Sequence, residues 1–395
     1  MPKALIYSAD LDGHRQVYVY VLSHLLSELE YSIFIACNLS EITSNSLYIE
    51  KFKSDSRITL IDTSIYAQGG LEITAREIIE LQIKYDIELT VFAEADYHIS
   101  LFNAQIYNKS NRLYGRNIGI FLRPFYYYEK LNLIDKLRYI KRLKDNWKSN
   151  ERLFHSLFMK QFKLLNSALY IDENFVLHHS FAKWLPDVFQ QYADSLFSDE
   201  YSEQLIWIDK LNNFTQKNNG LFIFLYFGTS QKRRGYDLLL KMAVEQNGCF
   251  IHCGLRNLNE KFDFDIDKFR KTLYKKERIL ETDQYIADPK CIEYFFKSTN
   301  HLVLPYRHFY GSSGVMLQAL SYGIPILTPE DGIMGYRVKK HNLGMTYKGD
   351  FNSLIEQFNK FKEMPKSSFT DSIGRYMNLQ SVSNLKEVLV NEMKA

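Results

Sequence analysis

The sequence predicts an α/β chain made of two parallel-sheet domains in tandem, and three observations carry that expectation. Short, nearly continuous apolar runs alternate with helix-periodic segments, the pattern of parallel sheets covered on both faces. The alternation fades between Trp184 and Gly220, where an acidic and amide-rich stretch ends in NNFTQKNNG, and then resumes. The chain has 395 residues, 46% hydrophobic and 24% charged, which fits globular domains and excludes a disordered chain, a collagen or a coiled-coil rod.

The elements follow in order. ALIYS (Ala4 to Ser8) is the first strand. After Gly13, the residues Val17, Val21, Leu22, Leu25, Leu26 and Leu29 recur as one face of a helix. Strands follow at Tyr31 to Cys37, Ile58 to Asp62, Glu88 to Ala93, Asn117 to Leu122 and Ala168 to Glu173. The second half starts with the strand Gly220 to Phe227 and continues through CFIHCG, RILE, HLVLP and IPILTP, with helices between. A final helix is expected from Asp371 to Lys394. The expected domains are 1–185 and 219–371, joined by a linker over 186–218.

Four cysteines are too few for a secreted disulfide scaffold, and a net charge of +3 does not point to nucleic acid as a partner. No run of 18 apolar residues occurs, and MPKALIYSAD lacks the cationic, apolar and cleavage regions of a signal peptide. The expectation is a cytoplasmic chain that at most rests on the inner face of a membrane. Residues 129–163 hold ten basic against four acidic residues, interleaved with Leu131, Ile134, Leu137, Ile140 and Leu143. A solvated helix face explains this most simply. The sharper reading is a site for anionic lipid headgroups or a lipid-diphosphate acceptor.

Two loops have the chemistry of anion sites. The strand LFIFLYF runs into Gly228-Thr229-Ser230-Gln231-Lys232-Arg233-Arg234-Gly235 and then a helix. Glycines admit close backbone approach, a helix start offers N–H groups, and Lys232, Arg233 and Arg234 supply counter-charge. After HLVLP, the loop Gly311-Ser312-Ser313-Gly314 again opens a helix, with an ordinary helix cap as the plainer reading of its serines. Both loops lie at the carboxyl ends of strands, where open α/β sheets bind ligands. In the first half, Asp10, Asp12, Gly13 and His14 follow the first strand; Glu94, Asp96 and His98 follow LTVFA; Arg123 follows NIGIFL. Cys249, His252 and Cys253 alternate across a short strand and read as core, not as a metal site. The aspartates at 263, 265 and 267 read as a solvated loop, and no GxGxxG, GxSxG or Walker A pattern occurs.

On these motifs the chain resembles the GT-B glycosyltransferases of the retaining family 4 (group 1) type, best over Gly220 to Tyr347. The resemblance implies two Rossmann-like domains facing across a cleft, with helix 372–395 packed back on the first. It places the donor diphosphate on Gly13, Gly228, Thr229, Lys232, Arg233, Arg234, Ser312, Ser313 and Gly314. Arg234 stands at the family's lysine, whereas Thr229 stands at its arginine. Tyr285, Ile286 and Gln318 fall at the base and ribose positions. The family's two glutamates correspond to Tyr310 and Gln318, neither of which is Glu. Arg123, His98 and Tyr310 are the candidate catalytic residues, and Asp10, His14 and Glu94 the candidates for the acceptor side. The implied partners are a UDP- or GDP-type nucleotide-sugar, which is a substrate, and a glycan or lipid-linked acceptor of surface polysaccharide or glycolipid synthesis. No metal and no other cofactor is expected, and transfer is expected to retain anomeric configuration. The alternatives are a catalytically degenerate scaffold in polysaccharide assembly and a sugar-nucleotide epimerase.

Overall fold

The computed structural model describes residues 1–8, 11, 14–39, 47–64, 75–97, 113–122, 165–189, 192–193, 206–286, 288–309 and 311–394. The chain divides into two compact units, Met1–Ala193 with Gln380–Ala395, and Asp194–Leu379.

Unit 1 is a seven-stranded sheet, every pairing parallel. Its strands are β1 (Lys3–Tyr7), β2 (Ser32–Cys37), β3 (Ile58–Asp62), β4 (Leu89–Phe92), β5 (Arg116–Phe121), β6 (Ser167–Tyr170) and β7 (Ala182–Trp184), in the order β3-β2-β1-β4-β5-β6-β7. Its helices are α1 (His14–Glu28), α2 (Leu47–Ser54), α3 (Ala75–Tyr85) and α4 (Glu173–His178). The periodic face of α1 is buried at Val17, Val21, Leu22, Leu25 and Leu26, as helix spacing demands. Aromatic side chains fill the sheet's core: Phe121 stacks on Tyr170 at 4.5 Å and Tyr170 on Phe175 at 4.4 Å. The short edge strand β7 has no counterpart in the sequence reading, because three residues carry too little periodicity.

Unit 2 begins with α5 (Ile206–Lys217), inside the stretch read from sequence as a linker; Trp207 and Leu211, one turn apart, are its buried residues. The strands are β8 (Ile223–Phe227), β9 (Cys249–Cys253), β10 (Ile279–Glu281), β11 (Leu302–Val303), β12 (Ile326–Pro329) and β13 (Gly344–Tyr347). They pair in parallel as β10-β9-β8 and β11-β12-β13, and β11 lies beside β8. The helices are α6 (Tyr236–Glu245), α7 (Ile266–Lys275), α8 (Pro289–Lys297), α9 (Gly314–Ser321), α10 (Gly332–His341), α11 (Phe351–Phe361) and α12 (Thr370–Leu379). Among the described residues no helix is long and apolar enough to cross a membrane.

The helix expected over 372–395 is two helices that break at Gln380: α12 belongs to unit 2, and α13 (Val382–Lys394) to unit 1. Leu385, Leu389 and Met393 are buried. A polar clamp adds to them. The Glu392 carboxylate accepts from Lys183 Nζ at 2.5 Å and from the Ser167 hydroxyl, with Arg116 at 3.6 Å, and Arg116 Nε donates to the Glu392 carbonyl at 2.6 Å. Burial alone would raise the Glu392 pKa, but Lys183, Ser167 and Arg116 together hold it below the usual 4.5. The unfolded chain therefore binds this proton more readily. The clamp's contribution is complete above about pH 4.5 and is lost as pH falls through the lowered folded value. Glu392→Gln should cost about 2 kcal/mol at neutral pH, discounted for the exposed Lys183, and should flatten the acid limb of a urea-denaturation series.

Candidate functional site

The first anion loop begins where β8 ends. Its backbone is mostly satisfied within the protein. Gly228 N donates to Cys253 O at 2.8 Å, Ser230 N to Leu255 O at 3.0 Å, and Lys232 N to Glu260 Oε1 at 2.9 Å. Gln231 N donates to the Tyr226 hydroxyl at 3.0 Å, while that hydroxyl donates to Thr229 O at 2.8 Å. Burial pushes the Tyr226 phenol up, so it remains a donor at neutral pH. Among the described residues the Thr229 N–H has no partner. The loop's own turns thus use the amides of Gly228, Ser230, Gln231 and Lys232.

The three cations have three different environments. Lys232 Nζ is 2.5 Å from Asp263, a residue read from sequence as solvated loop, and Lys232 is the first cause holding that carboxyl below its usual range. Arg233 is exposed, donates to Gln231 Oε1 at 3.0 Å and lies 5.8 Å from the centre of the Phe309 ring. Arg234 has no carboxylate partner among the described residues and lies over Gly228, where a Cβ would come within 2.7 Å of its guanidinium. Lys232 is thus neutralised by a carboxylate, whereas Arg234 meets none among the described residues.

Arg307, which the sequence reading did not single out, joins this loop to the second one. It follows β11, and its guanidinium grips the fully buried Asp237 carboxylate at 2.7 and 3.0 Å. It also donates to Lys232 O at 2.6 Å, and its backbone N to Arg233 O at 2.8 Å. A planar fork can hold a carboxylate and a carbonyl together, which an ammonium cannot. Gly235 makes the contact possible: any Cβ there would lie 2.3 Å from Pro305 O. Arg307 could have been noticed as a cation at a strand's carboxyl end, but its partner lies 70 residues away.

In the second loop the two serines differ. Ser313 caps α9 by accepting from Met316 N at 3.3 Å, so the plainer cap reading holds for it. The Ser312 hydroxyl accepts from Arg337 Nη1 at 2.7 Å. Arg337 is fully buried on α10 and was missed; its place one turn from Ile333 and Met334 on the buried face was the available signal. Gly314 is exposed at the start of α9, with nothing within 4 Å of where a Cβ would sit. Gln318 is half-buried one turn further on. The expected base-pocket pair splits: Tyr285 is 73% exposed, whereas Ile286 is core at 3%.

Behind the first loop lies a buried polar network. Glu281 accepts from Arg270 at 2.6 Å, from Tyr274 at 2.5 Å and from Tyr236 at 3.1 Å. Burial opposes its charge, but the facing His252 ring, Arg270 and Tyr274 outweigh it and bring its pKa to about 2. The sign is that of a depressed carboxylate, so this stability is complete above about pH 4.5 and fades toward pH 2. Glu281→Gln is expected to lower the melting temperature and to remove that part of the acid sensitivity. His252, read from sequence as core packing, is fully buried but also bonded: Nε2 is 3.0 Å from Gly228 O. Cys249, at the start of β9, is core, with its thiol pushed up to about 11 by burial.

In unit 1, Glu94 is 3% exposed at the end of β4 and pairs with Arg15 in the first turn of α1, a partner not foreseen. Asp96 accepts from Leu122 N beyond β5. His14 opens α1. Asp10, Gly13, His98, Arg123, Tyr310 and the basic segment 129–163 lie outside the described residues. A cavity of about 630 Å³ lined by Gly220, Gln246, Asn300 and Phe358 opens at the amino ends of β8, β9 and β11, away from both loops. Its lining brings no cluster of cations together.

The sequence matches no family profile and no curated protein. Among solved structures the chain is similar to sucrose-phosphate synthase from Thermosynechococcus elongatus, with a TM-score of 0.63 at 11% identity over 99% of this chain and 98% of that one. It is also similar to HepE of Anabaena in complex with UDP, with a TM-score of 0.61 at 10% identity over 100% of both chains. For the lipopolysaccharide outer core galactosyltransferase WaaB the TM-score is 0.60 at 11% identity over 99% of both. These likenesses give the fold: α/β with GT-B architecture and two Rossmann-like units, as the sequence predicted.

Proposed function

We propose that the chain is a glycosyltransferase that moves a sugar from a UDP- or GDP-type nucleotide-sugar to a glycan or lipid-linked acceptor. One observation carries this reading. Two loops at adjacent strand carboxyl ends are locked together by Arg307, and beside them Arg234 keeps a charge that no carboxylate among the described residues cancels. A buried or half-buried cation without a counter-ion is costly unless an anion joins it, and a diphosphate is an anion of fitting size and charge. Unit 2 would hold the donor. Arg234 and the Ser312 to Gly314 loop would stabilise charge growing on the leaving diphosphate, with Tyr285 stacking on the base. Unit 1 would hold the acceptor near Glu94 and Arg15. Full-length likeness to a UDP-bound chain and to a lipopolysaccharide galactosyltransferase supports the reading.

The finer proposals are retention of configuration, independence of metal, and electrostatic contact of 129–163 with an anionic membrane on its cytoplasmic side. The test is a thermal-shift screen of UDP, GDP and their sugars with and without Mg²⁺. A ligand at 100 times its Kd should add about 2.7 kcal/mol. NMR of the anomeric proton in the product decides retention, and salt titration of binding to anionic liposomes decides the membrane contact. No shift with any nucleotide would overturn the donor site. Binding without turnover on any acceptor would favour the scaffold alternative, for which the neutral Gln318 at a ribose-binding carboxylate position is the specific observation.

A further inference from the structure

We propose that His252 is a positioning residue for the donor diphosphate: its Nε2–H holds the Gly228 carbonyl inward and thereby turns the Thr229 N–H outward as a donor to a phosphate oxygen. This rests on the donor site proposed above and adds to it a residue and a backbone donor.

The argument starts from the peptide unit. The carbonyl of Gly228 and the N–H of Thr229 belong to one planar trans peptide, so they point in opposite directions. Nε2 of His252 lies 3.0 Å from the Gly228 oxygen. A carbonyl only accepts, so Nε2 carries a proton and is the donor. His252 is on β9 and fully buried; the Gly228 oxygen therefore faces the interior on the β9 side. The neighbouring amides agree, since Gly228 N and Ser230 N both donate toward that side, to Cys253 O and Leu255 O. The intervening Thr229 N–H then faces away from β9, the side on which β11 lies beside β8. It is the amide found above to have no partner, and Arg234 lies over the same Gly228. One backbone donor and one guanidinium that meets no carboxylate among the described residues thus share the same few ångströms of loop.

The ring is held in place from every element around it. Tyr226 of β8 and Tyr236 of α6 meet it edge-on, with centroids at 5.4 and 5.1 Å. Nδ1 lies 3.9 Å from Glu281 Oε1 of β10, and Arg270 and Tyr274 of α7 fix that carboxylate. Gly254 lets the strands come close enough, because a Cβ there would be 2.3 Å from Gly228 O. Thr229 itself stands where the resembled family has an arginine, so here the backbone supplies what a side chain does there.

Amide hydrogen exchange at Thr229, with isothermal titration of UDP, GDP and pyrophosphate, tests the proposal. In the wild type the Thr229 amide should exchange freely and become protected by a bound diphosphate. His252→Leu should weaken binding by about tenfold to a hundredfold and lose that protection. His252→Gln, whose side-chain amide can donate from nearly the same place, should restore most of both. A nucleotide that binds through Arg234 without protecting Thr229 overturns this inference and leaves the donor site standing. Pyrophosphate that protects Thr229 when no nucleotide binds upholds His252 and removes the donor site. His252→Leu binding as tightly as wild type also overturns it. If that variant fails to fold, the wild-type exchange still decides.

Discussion

Arg307→Ala should cost about 3–5 kcal/mol of unfolding free energy and abolish nucleotide binding at the same time. The size follows from what is left behind. Asp237 is fully buried, and without the guanidinium its carboxylate keeps no charged partner among the described residues, only the Asp263 N–H at 3.3 Å. The same change removes the guanidinium from Lys232 O, which keeps the Gly235 N–H, and leaves the first loop tied to the residue after β11 by the backbone bond to Arg233 O alone. Arg307→Lys should fall between, because an ammonium cannot span two carboxylate oxygens and a carbonyl. Adding Asp237→Asn to Arg307→Ala should recover part of the stability without recovering binding. Urea midpoints of the four proteins read the first effect, and titration with UDP and GDP the second. A loss below about 1 kcal/mol would mean that the fork is not what holds the loops together.

Arg234→Ala is expected to do the opposite. Its guanidinium meets no carboxylate among the described residues, so its removal should change stability by no more than about 0.5 kcal/mol. Affinity for a nucleoside diphosphate should drop about tenfold to a hundredfold, the worth of a charge-assisted hydrogen bond. Lys232→Ala should have a much smaller effect on affinity, since Asp263 already neutralises that ammonium. Equal losses from the two variants would show that the anion is shared across the loop and not centred on Gly228.

The location of both loops was legible in the sequence because its signals are local: an apolar run, glycines at fixed offsets, and the start of a periodic helix. The division of labour inside the loops was not. Lys232, Arg233 and Arg234 look alike in sequence, and the structure separates them through Asp263, Gln231 and the bare Gly228. The helix at Ile206–Lys217 escaped notice because only Trp207 and Leu211 mark its buried face among polar residues. His252 is core, as its place in the strand predicts, but alternation tells which side of a strand a residue occupies and not that Gly228 O waits there.

By itself, then, the sequence determined the α/β class, the two parallel-sheet units and the strand ends at which anion chemistry sits, since these depend on periodicities of two and 3.6 residues and on the special backbone freedom of glycine. Only the tertiary structure decided which charges are cancelled, which amides are already used and which buried ring steers a peptide plane. Those outcomes depend on pairs such as Arg307–Asp237 and His252–Gly228, brought together by folding from places that share no local pattern.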